Sequence, residues 1–323
     1  MKKNQIVYIA LVGLLGAFLL LDLIPMLHPY FGWVTPPVAL FIGIVFAVTQ
    51  APAFPSFNKK SSKFLLQYSV VGLGFGMDIV DSLKSGSEGM GLTVVSVIGT
   101  LAIGWFIGRK IFHVGTKTSY LISSGTAICG GSAIAAVGPV LDAREEDMSM
   151  ALGTIFILNA IALFIFPVIG HLLGMSQHAF GTWAAIAIHD TSSVVGAGAA
   201  YGSEALKVAT TVKLTRALWI IPVSFFTMAV FRHPGKKVKL PYFIFFFVGA
   251  MIFNTYFLAD YAPAVGQAIS ALGHKGLTLS LFFIGASLTP KLIKSVGVKA
   301  MLQGVLLWII ISVSSLAYIL YYL

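Results

Sequence analysis

Apolar stretches long enough to cross a bilayer recur along almost the whole chain, and short segments holding most of the charge separate them. A hydrocarbon core about 30 Å thick needs about 20 apolar residues per helical crossing. It also offers no water to an open backbone N–H or C=O, so such a sequence has to fold as a bundle of helices. Hydrophobic residues make up 58% of the 323 and charged residues 10%, which excludes a soluble domain. The expected fold class is all-α: a polytopic membrane protein with about eleven transmembrane helices, forming one integral domain over residues 1–323.

Apolar runs bounded by charge place these helices at 6–27, 33–50, 63–83, 90–113, 117–140, 146–174, 179–201, 203–231, 241–258, 273–293 and 298–322. The first begins like a signal peptide, with Lys2 and Lys3 ahead of an apolar run. The run is long and no small-residue cleavage site follows, so it is expected to be retained. Cys129 is the only cysteine, which excludes an intrachain disulfide.

Charge sets the orientation. With the N-terminus in the cytoplasm, fifteen basic residues lie inside: Lys2, Lys3, Lys59, Lys60, Lys63, Arg109, Lys110, Lys117, Arg232, Lys236, Lys237, Lys239, Lys291, Lys294 and Lys299. Four lie outside: Lys84, Arg144, Lys207 and Lys275. This split obeys the positive-inside rule and accounts for a net charge of +10 without a nucleic-acid partner. The acidic turn Asp142–Asp147 and the C-terminus then face outward. Of the 21 basic residues only Lys213 and Arg216 remain, both inside a span.

The polar residues at bilayer depth gather in three places. Around Thr126, Cys129, Gly130, Gly131 and Ser132 the paired glycines weaken the helix, and a break there would leave the amides of a second half-helix open to an anion. Close packing of small residues is the structural alternative. In the second place His189 and Asp190 precede Thr191, Ser192 and Ser193, an N-cap sequence able to start another half-helix. A carboxylate near the midplane costs on the order of 2.5–3.5 kcal/mol, so Asp190 and His189 are candidates for a coupling ion or proton, unless they only satisfy each other or a helix end. In the third, Lys213 and Arg216 stand three apart on one helical face. They exceed the charge Asp190 can neutralise and so suit an oxyanion, although an internal ion-pair cluster is an alternative. Asn159, Gln67 and Ser287 are less specific.

Internal repetition is weak. Residues 66–86 can be laid on 277–297, whereas a five-helix repeat would instead pair the fifth helix with the tenth, where Gly285–Pro290 offers a break. The second broken helix is therefore expected in either 179–201 or 273–293. Phosphate loops, Cys/His metal patterns and nucleophile elbows are missing from the sequence, so neither an enzyme nor a cofactor is expected.

Together GTAICGGSAIAA at 125–136, IHDTSSVVGAGAAYG at 188–202 and VKLTRA at 212–217 resemble the PSE family of sulfate exporters in bacterial inner membranes. The resemblance runs over nearly the whole chain. It implies inverted repeats, a core with crossed discontinuous helices and a panel interleaved with it in sequence, as in bile-acid transporters and, more distantly, sodium/proton antiporters. It also implies export of sulfate or a sulfonate, coupling to H+ or Na+, and possible homodimers. The expected function is secondary active transport of a small anion. A cation/proton antiporter, a passive anion channel and a membrane sensor are the competing readings.

Overall fold

The computed structural model describes residues 3–50, 53–231, 242–290, 294 and 296–322. Lys2, Arg232, Lys236, Lys237, Lys239, Lys291 and Leu323 lie outside the described residues, and the orientation read from them stays at the level of sequence. All regular structure among the described residues is helical. The helices are α1 (Lys3–Leu21), α2 (His28–Phe31), α3 (Pro36–Thr49), α4 (Pro55–Gly74), α5 (Ile79–Phe106), α6 (Thr116–Ala127), α7 (Gly131–Val140), α8 (Glu145–Leu172), α9 (Gln177–Ala187) and α10 (Thr191–Tyr201). After them come α11 (Ser203–Ala217), α12 (Ile220–Phe231), α13 (Tyr242–Phe253), α14 (Ala259–Tyr261), α15 (Pro263–Ser287) and α16 (Val298–Tyr322). Single π-helical turns, Ile107–Ile111 and Asn254–Leu258, follow α5 and α13.

Among the described residues, eight segments are long and apolar enough to cross a membrane: Asn4–Leu21, His28–Thr49, Gly91–Ile111, Glu146–Leu172, Ser203–Phe231, Tyr242–Tyr261, Pro263–Ser287 and Val298–Tyr322. Three of the eleven expected spans are not among them. The span expected at 63–83 is broken between α4 and α5, and α4 begins early enough to include Lys59, Lys60 and Lys63. Those expected at 117–140 and 179–201 are each divided into two short helices. The helix expected at 273–293 starts ten residues earlier, at Pro263, and runs unbroken to Ser287, so the glycine at 285 does not interrupt it.

The chain forms two compact units. One comprises Met1–Ser82 with Tyr242–Pro290. Within it α15 packs against α3 and α4 at near backbone contact: a Cβ on Gly285 would fall 2.3 Å from the carbonyl oxygen of Leu40, and one on Gly273 would fall 2.8 Å from that of Ser69. Without water to drive association, close approach through glycine is how helices gain dispersion energy in lipid. Asp22, just past α1, accepts from both Lys275 and His28.

The other unit comprises Leu83–Pro241 with Lys291–Leu323. Its organisation follows α8, whose 28 residues extend about 42 Å. Near the start of α8, Asp147 accepts from Thr118 at 2.7 Å, close to the beginning of α6. Lys117 Nζ also reaches the carbonyl of Asp142, beyond the end of α7, at 2.5 Å. Two helices whose outer ends meet cannot be one crossing helix. Near their inner ends a Cβ on Gly125 would meet Ile134 at 3.0 Å, so α6 and α7 lie side by side as a hairpin.

The same holds for α9 and α10. Gln177 Oε1 accepts from the amides of Glu204 and Ala205 at 3.0 and 3.3 Å, and the rings of Phe180 and Tyr201 stack at 3.8 Å. His171, near the end of α8, stacks on Tyr201. The bases of the two hairpins thus lie at opposite ends of α8. Each hairpin is 10 to 12 residues deep, or about 15–18 Å, half the thickness of a bilayer core. The expected crossed discontinuous helices are therefore corrected to two re-entrant hairpins. The acidic turn is corrected too: Asp142 to Asp147 lie on the same side as Lys117, not opposite it.

Candidate functional site

The hairpin tips meet. Tip 1 is Ile128-Cys129-Gly130 and tip 2 is Ile188-His189-Asp190. A Cβ on Gly130 would lie 3.2 Å from Cα and Cβ of Asp190 and 3.3 Å from Ile155 of α8. Gly130 has φ +64 and ψ −125, a backbone region in effect reserved for glycine. The second of the paired glycines opens α7, where a Cβ would press on Phe156 at 3.1 Å.

A re-entrant hairpin presents two kinds of bare backbone at its tip: carbonyls ending the first helix and amides starting the second. In lipid both need partners. At tip 2 each finds one. Lys213 Nζ donates to the carbonyls of Ile188 at 2.8 Å and Ala185 at 3.2 Å, and Trp308 Nε1 donates to that of Ala187 at 3.1 Å. Asn159 Oδ1 accepts from the amides of His189 and Asp190 at 3.0 and 3.3 Å. Asp190 caps α10 as its sequence context predicts, accepting from the amide of Ser192 at 3.1 Å and from its hydroxyl. Thr191 and Ser193 are buried beside them.

Tip 1 is completed differently. Arg216 Nε donates to the carbonyl of Ala127 at 2.7 Å, closing the end of α6, and its Nη1 donates to Ser96 Oγ at 2.8 Å. Gly130, at the cap position of α7, has no side chain to offer the amides that follow it, and the thiol of Cys129 faces the backbone N–H of Ala133 in the first turn. Ser132 turns its hydroxyl back to the carbonyl of Cys129 at 3.0 Å and lies 2.9 Å from that residue's thiol. Arg216 Nη2 has no hydrogen-bond partner among the described residues, and neither does the hydroxyl of Thr126 on the last turn of α6.

Lys213 and Arg216, one turn apart on α11, therefore serve different hairpins. Both are fully buried, and among the described residues neither has a carboxylate at ion-pair distance. Asp190 does not neutralise them directly; it is occupied as a cap. A cation at the carbonyl end of a helix is favoured by the helix dipole, which partly offsets its desolvation. His189 is buried, and neither ring nitrogen has a partner among the described residues.

Ser96 and Trp308 gave no signal in sequence: one is the single serine of the expected span 90–113, the other an aromatic in a span rich in them. Asn159 had a weak signal as an amide at mid-span. Its tie to two backbone amides 30 and 31 residues away is purely tertiary.

The family model described as "Conserved hypothetical protein 698" matches residues 4–314. The chain belongs to that family. Among its relatives, a UPF0324 membrane protein from Bacteroides thetaiotaomicron is 66% identical over 98% of this chain and 96% of its own length. Another from Porphyromonas gingivalis is 60% identical over 98% and 96%. A UPF0324 membrane protein from Photobacterium profundum is 49% identical over 89% and 87%. These names place the family in membranes. No solved structure matches the chain.

Proposed function

We propose that the chain is a secondary transporter of a small anion, a sulfate, sulfonate or similar oxyanion, working by alternating access in the bacterial inner membrane. The observation that carries this reading is Arg216: a buried guanidinium that holds the carbonyl end of tip 1 and has, among the described residues, no carboxylate at ion-pair distance and no partner for Nη2, at the tip where Gly130 leads into α7. A planar guanidinium and a row of helix N-terminal amides are both oxyanion donors. Lys213 adds positive charge one turn away. Two hairpins entering from opposite ends of α8, each to half the bilayer depth, enclose a midplane site that displacement of either would open to one face. Asp190 is the group on which a coupled proton would reside.

Nine crossings follow from this reading, the eight apolar segments and α4, with the N-terminus in the cytoplasm and the C-terminus outside. The two hairpins cancel in the count, so the basic loops keep their sides and only Arg144 moves inward. The transport test uses protein in proteoliposomes and radiolabelled sulfate. Arg216→Lys keeps the charge and a donor for Ala127 but loses the second arm of the fork; uptake should fall at least about tenfold. Uptake that survives Arg216→Ala unchanged would refute the proposal.

A further inference from the structure

Tip 1 presents charge-assisted donors, but the polar groups unpartnered at tip 2 are neutral. Asn159 is 3% exposed and His189 fully buried. The Asn159 amide is oriented by its surroundings: both of its bonds come from backbone N–H groups, so the oxygen faces them and Nδ2 points away as a donor. That nitrogen has no partner among the described residues. The His189 ring, on the very residue whose amide Asn159 holds, supplies one further donor and one acceptor, also without partners among the described residues. Burying three such hydrogen-bonding positions at one hairpin tip is costly unless something meets them.

We infer that His189 and Asn159 form an uncharged subsite for a hydroxyl group, so that within the oxyanion class proposed above a hydroxylated organic anion is bound in preference to a bare inorganic one. This rests on the anion-transport reading above. A hydroxyl is both donor and acceptor on one atom: it can give its proton to the unprotonated ring nitrogen of His189 and accept from Asn159 Nδ2. A carbonyl could only accept. The anionic end of the same small molecule would meet Arg216 Nη2 and the start of α7, since the two tips approach so closely that a Cβ on Gly130 would lie 3.2 Å from Asp190. A site with buried groups waiting for a hydroxyl discriminates strongly against the analogue that lacks it.

The test compares matched anions on the purified full chain: 2-hydroxyethanesulfonate against ethanesulfonate and lactate against propionate, with sulfate alongside, measured by ligand-dependent thermal stabilisation. The wild-type protein should bind each hydroxylated anion at least tenfold more tightly than its partner. His189→Phe removes the ring nitrogens while keeping volume and the backbone amide that Asn159 holds. Asn159→Asp keeps the acceptor and removes the donor. In either folded variant the ratio should collapse towards one. Equal affinity of the wild type for both members of each pair would overturn the subsite and leave anion transport standing, and so would a preference that persists in both variants. Binding of none of these anions would instead sink the transport reading, and the subsite with it.

Discussion

Lys117 Nζ donates to the carbonyl of Asp142 at 2.5 Å across a sequence separation of 25. Twenty-five positions of unbroken helix would hold those residues about 37 Å apart. The contact therefore decides that the segment between them returns to the side it left. A cysteine map will check it, and Cys129→Ala supplies a clean background because the chain has no other cysteine. Cysteines replacing Gly115 and Glu146 should react with a membrane-impermeant thiol reagent from one face, and one replacing exposed Leu173 from the other. Labelling of the first two from opposite faces would restore a crossing helix.

Gly130→Ala should damage the tips without touching any charge. The residue sits at φ +64 and ψ −125, and its new Cβ would press on Asp190 and Ile155. Such backbone strain costs on the order of 1–3 kcal/mol. A lowered thermal midpoint and loss of transport are expected; a variant with native stability and uptake would show that the tips do not need this conformation.

Lys213 should behave as a helix cap. Lys213→Met leaves the carbonyls of Ile188 and Ala185 without their donor but also relieves a buried charge, so its midpoint should fall only modestly. Lys213→Glu sets an anion against the negative end of α9 and should cost about 3–5 kcal/mol, the range for a buried uncompensated charge. The stability order wild type, Lys213→Met, Lys213→Glu is the expected readout, and equal midpoints for the two variants would exclude a capping role.

Asn159→Leu strips the acceptor from two buried amides at once, those of His189 and Asp190. Each unsatisfied group costs about 1–3 kcal/mol. The variant should be clearly less stable than Asn159→Asp, which retains an oxygen facing those amides. Hydrogen exchange should speed up at residues 189 and 190 in the leucine variant and not in the aspartate one.

The sequence by itself determined that the chain is helical and membrane-embedded, that it weakens near Gly130 and near Asp190, and that two cations stay at depth. These properties are local: hydropathy over a window, the conformational freedom of glycine, the capping preference of Asp-Thr-Ser-Ser, and the absence of nearby ends for Lys213 and Arg216. The direction of the chain after each break is not local. Glycine at φ +64 permits the chain to turn back but does not compel it, and the same polar residues would suit an unwound crossing helix. Tertiary partners made that choice: Lys117 with Asp142, Thr118 with Asp147, Gln177 with the amides that start α11. Tertiary structure also assigned the cations, sending Lys213 to one tip and Arg216 to the other. Their sequence spacing places both on one face of α11, but only the packing of the hairpins against that face decides which carbonyl end each one meets.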